Sequence, residues 1–249
     1  MRNPFWRESN KNWGLKKVYF SEWSHSILSE LVFIFDPIKN RLQKKKIRSE
    51  LSKYKLKCIS LGSGKEPPKK WIGFDRYKSG KNVFAVNMLF DFPVASNTVD
   101  EILAEHIFEH FYWDDLEFIL KECYRVLKNN GKIRIVSPNA ENIARLIKLG
   151  SQAENDFDVI TDSNLHKWNK DGMCWIRTIN QITHQWGEHK CVLTPEMMGS
   201  LLKHIGFKEI TILPLKESRF FDPIPDIHQK RFPNERTEAN FAVEAIVYK

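Results

Sequence analysis

The chain has no apolar run approaching the ~20 residues that a membrane-spanning helix needs, so no transmembrane segment is expected. Its first residues, Met1-Arg2-Asn3-Pro4-Phe5-Trp6, lack the apolar stretch of a secretory signal. Cysteine is scarce. The four present, Cys58, Cys123, Cys174 and Cys191, lie far apart and form no CxxC pair. That argues against a disulfide framework and for reduced, buried thiols in a cytoplasmic protein. No internal repeat or low-complexity tract appears, which sets aside a repeat architecture. What is present suits a globular core: 42% of the 249 residues are hydrophobic, enough for one large domain or one domain with appendages.

Charge of one sign is also missing from most of the chain. Residues 1–57 hold 14 Lys+Arg against 5 Asp+Glu, a balance of +9; the total is +8, so the remainder carries −1. The basicity belongs to the N-terminal segment, and the neutral body weakens any reading of the whole chain as a nucleic-acid binder.

Residues 1–23 are aromatic and irregular. From Ser24 a helix is predicted, with Ile27, Leu28, Leu31, Val32, Phe35, Ile38 and Leu42 at three- and four-residue steps and a kink or break at Pro37. Residues 1–55 read as a basic, aromatic helical extension and residues 56–249 as the main domain. After Lys57, short apolar strands alternate with helices, the signature of a parallel α/β sheet. Strands are expected at 57–61, 71–75, 83–87, 100–105 and 132–137. Helices are expected at 114–128, 140–149 and 194–205, the last with Thr194 as N-cap, Pro195 at its first position and Gly206 past its end. Residues 208–215 and 240–248 read as an antiparallel pair joined by a long loop containing Pro223, Pro225 and Pro233.

Within this frame Cys58-Ile59-Ser60-Leu61-Gly62-Ser63-Gly64 reads as a buried strand and a glycine turn. Trp71-Ile72-Gly73-Phe74 then reads as a second strand ending on Asp75. The glycines permit a sharp turn and close approach of a ligand, and a carboxylate so placed suits a ribose diol. A full G-x-G-x-x-G with an acid ~20 residues on is absent. Only six residues, two of them proline, separate Gly64 from Trp71. A crossover helix normally needs a dozen or more, so a contracted loop is predicted there and no helix remains to cradle a pyrophosphate.

Further segments follow in order. They are Asn87-Met88; Asp91 to Asp100; Glu101-Ile102-Leu103-Ala104-Glu105-His106-Ile107-Phe108-Glu109-His110; and Glu122-Cys123-Tyr124-Arg125-Val126-Leu127-Lys128-Asn129-Asn130-Gly131-Lys132. This ordered set resembles the class I S-adenosylmethionine-dependent methyltransferases, and most closely a small bacterial-type, type 11-like subgroup. The resemblance covers about residues 56–145 well, 184–249 loosely, and 1–50 not at all. It implies a Rossmann-like seven-stranded sheet of order 3-2-1-4-5-7-6 with the last strand antiparallel, and S-adenosylmethionine as cofactor. It also implies that Leu61, Gly62, Ser63 and Gly64 line the methionine and ribose portion and that Asp75 holds the ribose hydroxyls. Asn87 would reach the adenine amino group with the Met88 backbone nearby. Glu105 and His106 would border the methionine moiety or the acceptor. Two departures stand out: Glu66 where a wider glycine pattern would continue, and Asn87 where an acid is common.

The resemblance further implies methyl transfer to an oxygen or nitrogen of a small-molecule or sugar and glycan-type acceptor, as in polysaccharide biosynthesis. A nucleic-acid methyltransferase and a non-catalytic binding module are the alternatives. Methyl transfer asks chiefly for positioning, with a general base only for a hydroxyl or protonated amine. His110, His184 and His189 are the candidate bases. His184, Glu188, His189 and Cys191 can be read as a metal set, but Gly187 and Pro195 favour a loop, so no metal is expected. Residues 150–193, with Trp168, Trp175 and Trp186, read as a cap or acceptor lid. The basic segment suits packing on the body or on a second copy, contact of residues 24–48 with the inner face of an anionic membrane, or contact with nucleic acid.

Overall fold

The structure is a computed structural model that describes residues 35–150, 152, 176, 179–180, 183–227 and 240–249. Most of the predicted lid, the first part of the predicted N-terminal helix and Cys174 lie outside the described residues. Seven strands form one sheet: β1 (Cys58–Leu61), β2 (Ile72–Asp75), β3 (Val83–Ala85), β4 (Val99–Glu105), β5 (Leu127–Pro138), β6 (Lys208–Leu213) and β7 (Asn240–Ile246). Their order is β3-β2-β1-β4-β5-β7-β6. Strands β1 to β5 pair parallel, and β7 runs antiparallel to both its neighbours. The expected order and reversed last strand are both present.

The parallel strands read as near-continuous apolar runs because both faces are covered. Ile59, Leu61, Ile72, Phe74, Ile102, Ala104, Ile133 and Ile135 are all fully buried. Helices α2 (Trp113–Val126), α3 (Ala140–Leu149) and α4 (Pro195–Ile205) pack around the β4–β5–β7 half. The ends of α4 follow the sequence logic. Thr194 accepts from the Met197 N–H, Pro195 opens the first turn, and Gly206 takes φ +116° beyond the last. In the turn within β5 it is Asn130, not Gly131, that adopts the left-handed conformation, at φ +62°. Asparagine tolerates that region better than other side chains.

The other half of the sheet is built differently. Residues 62–71, 76–82 and 86–98, which link β1 to β2, β2 to β3 and β3 to β4, contain no helix. The contracted first crossover is present, and two further connections share its economy. A helix from outside the strand series covers the gap. Helix α1, described over 35–51, runs through Pro37 and sends Ile47 and Leu51, exposed by 0% and 2%, into the same core as Ile59, Ile72, Phe74 and Val86. The described part of the basic segment is therefore packed on the domain.

The face that α1 presents was not the expected one. Phe35, Ile38 and Leu42, part of the apolar series, are 60%, 55% and 75% exposed, whereas Asp36 and Asn40 are buried. Positions 36, 40, 43, 47 and 51 lie on one helical face. Of the three polar side chains on it, Asn40 and Gln43 serve the backbone at the end of β3, and Asp36 accepts from the Asn87 side chain. The Asn40 amide donates to the Asn87 carbonyl at 2.9 Å and accepts from the Asn87 N–H at 3.1 Å. Gln43 donates to the Ala85 carbonyl. Buried polar groups persist where they are satisfied in this way. Ile47→Ala is expected to cost about 2–5 kcal/mol in urea unfolding, the range for emptying a buried aliphatic site. A loss under about 0.5 kcal/mol, typical of an exposed substitution, would mean that α1 does not pack as described.

Candidate functional site

The carboxyl ends of β1, β2 and β4 converge where ligands bind in parallel α/β sheets. The turn after β1 places Gly62 at φ +64° and Gly64 at φ +60°. A Cβ on Gly62 would come within 2.7 Å of the Ile107 side chain, so glycine is required there for space as well as for conformation. The amides of the turn are used internally. Gly62 N–H donates to the Phe74 carbonyl at 2.8 Å, and Gly64 N–H to Asp75 Oδ2 at 2.9 Å. The turn is thereby clamped to the end of β2, and what it offers a ligand is room rather than open donors. Leu61 is fully buried and Ser63 nearly so, so the Leu61 side chain belongs to the core.

Asp75 stands half-buried at the strand end and spends one oxygen on Gly64. A carboxylate has about four acceptor positions, which leaves capacity for a diol. Asn87 is differently committed. Its Nδ2 donates to Asp36 Oδ2 at 2.7 Å and its Oδ1 accepts from the Leu89 N–H at 3.0 Å. The side chain expected to reach an adenine is engaged with α1 and with its own turn. Met88 is buried beside it.

Beyond β4 the chain turns sharply at His106, a non-glycine residue at φ +50°. Such a backbone costs on the order of 1–2 kcal/mol and often marks a functional position. Glu105, before it, receives the Ile227 N–H at 2.9 Å on one oxygen. The short 3-10 turn Phe108–His110 then brings Glu109 inward, 2% exposed. Its Oε2 accepts from Ser137 Oγ at 2.9 Å, and His106 Nδ1 approaches its Oε1 to 3.3 Å. Burial pushes the Glu109 carboxyl up, but the contact with His106 outweighs it, so the group lies below the usual carboxylate range.

His189 joins this cluster from 79 residues downstream. The Lys190 and Cys191 N–H groups donate to the Glu109 carbonyl at 2.7 and 3.3 Å. The His110 and His189 rings meet edge to face with centroids 4.8 Å apart. His184 is exposed and precedes a 3-10 turn, Gln185–Gly187; Glu188 is exposed as well. The structure thus unites two of the three candidate histidines and separates the third. The Cys191 thiol is pushed up to about 11 by burial and by Glu109, so it is not a thiolate nucleophile near neutral pH. Glu109 was missed as a site residue. Its only signal in the sequence was a place between two histidines, and nothing there announced its burial.

Residues 65–135 match a family model described as a methyltransferase domain. That match lies on a sheet of the order β3-β2-β1-β4-β5-β7-β6 with β7 reversed, a Rossmann-like arrangement. Residues 65–135 are similar to methyltransferase domains. The glycine cradle closed by Ile107 together with the acceptor capacity of Asp75 fits an adenosyl ligand such as S-adenosylmethionine. Similar solved structures are distant. A S-adenosylmethionine-dependent methyltransferase from Archaeoglobus fulgidus shares 18% identity, with 86% of this chain and 99% of that one covered at a TM-score of 0.45. A Thermotoga maritima protein described as a possible histamine N-methyltransferase shares 15%, over 88% and 95%, at 0.42. Human N-acetylserotonin methyltransferase shares 12%, over 84% and 53%, at 0.41. A search of curated proteins finds no match.

The other family segments have structural work. Glu122, buried on α2, accepts from Arg125 Nε and from the Phe92 N–H, both at 2.6 Å. Arg125 also donates to the Phe92 and Val94 carbonyls at 3.1 and 2.9 Å. The pair clamps the loop ahead of β4 rather than touching a ligand. Among the described residues no helix is long and apolar enough to cross a membrane.

Proposed function

We propose that the domain transfers the methyl group of S-adenosylmethionine to an oxygen or nitrogen of a small-molecule or glycan-type acceptor. One observation carries this reading. Ile107, packed against Gly62, joins the cofactor turn directly to the segment bearing His106, Glu109 and His110. Groups able to take a proton therefore lie beside the place where the donor would sit. The sulfonium donor supplies an activated methyl. The chain's part is to hold the ribose at Asp75, to shape the turn at Gly62 and Gly64, and to leave the adenine to the Met88 main chain. His110 or His189 receives the acceptor's proton as the new bond forms, which matters for a hydroxyl or an ammonium and little for a free amine. The near-neutral body favours an acceptor without a polyphosphate backbone.

A second reading rests on α1. Lys39, Arg41, Lys44, Lys45, Lys46 and Arg48 are all exposed on it, beside Phe35, Ile38 and Leu42. That surface suits a nucleic acid, an anionic membrane or a second copy. Salt discriminates the first, since affinity for nucleic acid falls steeply with log salt when several phosphates are neutralised. Salt-insensitive binding would remove it.

The first test is thermal. S-adenosylhomocysteine at ~100 times its dissociation constant should stabilise the protein by about 2.7 kcal/mol. No shift in melting temperature at millimolar ligand would leave a binding module without cofactor and would end the catalytic reading.

A further inference from the structure

We infer that Glu109, His110 and His189 form a binding site for a divalent transition-metal ion of the zinc type. Each residue offers one ligand atom, and the three atoms lie within 4.8 Å of one another. Around zinc, nitrogen and oxygen donors stand about 2.0–2.1 Å from the ion, which puts them about 3.4 Å apart in a tetrahedron. Closing the present arrangement needs side-chain adjustments on the order of 1 Å. His110 and His189 are half-buried.

The set is braced. The Glu109 carbonyl accepts from the N–H groups of both Lys190 and Cys191, which fixes the two contributing segments against each other next to His189. Ser137, at the end of β5, donates to Glu109 Oε2 and orients the carboxylate. Partners of that kind are the outer shell on which metal sites depend. The other oxygen, Oε1, is buried with no hydrogen-bond donor among the described residues. His106 Nδ1 lies 3.3 Å from it. A buried carboxylate demands a positive partner. An ion shared with the two neighbouring imidazoles would supply one. Two imidazole nitrogens beside one carboxylate make a ligand set for a transition metal rather than for calcium or magnesium.

Three protein ligands leave a further position for water or for an oxygen or nitrogen of a bound molecule. The site therefore takes, besides the ion, a small ligand with a donor atom able to enter that position. With the ion bound, His110 and His189 are ligands and not proton acceptors, so this site is an alternative to the role given them above; metal binding is read without methyl transfer, so the two can fail separately. His184, Glu188 and most of the 183–191 segment stay outside; only His189 enters.

The test uses the full chain with any affinity tag removed, stripped by chelator and dialysed. Reconstitution with Zn2+ should leave one equivalent bound after gel filtration, read by elemental analysis, and Co2+ should give visible d–d absorption. His110→Ala and His189→Ala should each weaken Co2+ binding by at least about tenfold, since even outer-shell losses reach that size. His184→Ala should bind as the parent does. Circular dichroism verifies folding, and His110→Gln and His189→Gln replace any alanine variant that does not fold. Failure of the parent protein to retain Zn2+ or to develop Co2+ bands overturns the site. So does unchanged binding in both folded histidine variants, or its loss in His184→Ala.

Discussion

Asp75→Ala should reduce affinity for S-adenosylhomocysteine by two to four orders of magnitude while the protein remains folded. Hydrogen bonds to a charged group contribute about 1.5–3 kcal/mol each, and a ribose diol makes two, so the loss is about 3–6 kcal/mol. At about 1.4 kcal/mol per decade this is roughly a 10²- to 10⁴-fold change. The cost to the fold is smaller. Asp75 is half-buried, and the bond it accepts from the Gly64 N–H at 2.9 Å ends on a half-buried turn that water can reach. About 1 kcal/mol is a fair expectation for that bond. Asp75→Asn separates the two roles. Its carbonyl oxygen keeps the Gly64 contact, but one acceptor becomes a donor, so cofactor affinity should fall between parent and alanine variant. Calorimetric titration with S-adenosylhomocysteine reads both. A folded Asp75→Ala protein with parental affinity would place the ribose elsewhere and detach the glycine turn from the role given to it.

The legibility of this chain follows the physics of each element. Strands β1, β2 and β4 were readable because a strand buried on both faces must be apolar throughout. Helix α4 was readable because its cap, its proline and its terminal glycine each act within a few residues. The failures share the opposite property. Helix α1 turns Asp36, Asn40 and Gln43 inward because Asn87 and the backbone around the end of β3, lacking a crossover helix, need partners; apolar periodicity pointed instead at Phe35, Ile38 and Leu42, which face outward. Asn87 stands at the position expected to reach the adenine, yet Asp36, 51 residues earlier, had a claim on its side chain that no local pattern records. Glu109 and His189 are neighbours through two hydrogen bonds to one carbonyl, a relation that spacing in sequence cannot express.

Arg134 was the least visible of all, since a charge in a predicted central strand reads as an interruption. It lies in the middle of β5 with its side chain fully buried. Its guanidinium makes a two-point contact with Asp226, 2.7 and 2.6 Å, and reaches Glu244 on β7 at 2.6 Å. It also donates to the Leu215 and Glu217 carbonyls at 2.7 and 3.0 Å. These bonds fasten the 214–227 strap across the sheet, and the same strap delivers the Ile227 N–H to Glu105 at the site. Arg134→Met removes the cation and leaves Asp226 and Glu244 buried without it. Breaking a buried pair in this way costs about 3–5 kcal/mol, and urea unfolding should show it. The triple variant Arg134→Met, Asp226→Asn, Glu244→Gln tests the cause. Glu244 also accepts from Ser218 Oγ and from the Arg219 and Phe220 N–H groups, and a glutamine carbonyl can keep part of that set. With both stranded charges gone, stability should return by a large part of the loss, because a neutral replacement of a buried ion network is often close to harmless. If the triple variant is no more stable than Arg134→Met, the loss comes from the packing of the arginine stem and its carbonyl contacts, and the buried charges are not what holds the strap to the sheet.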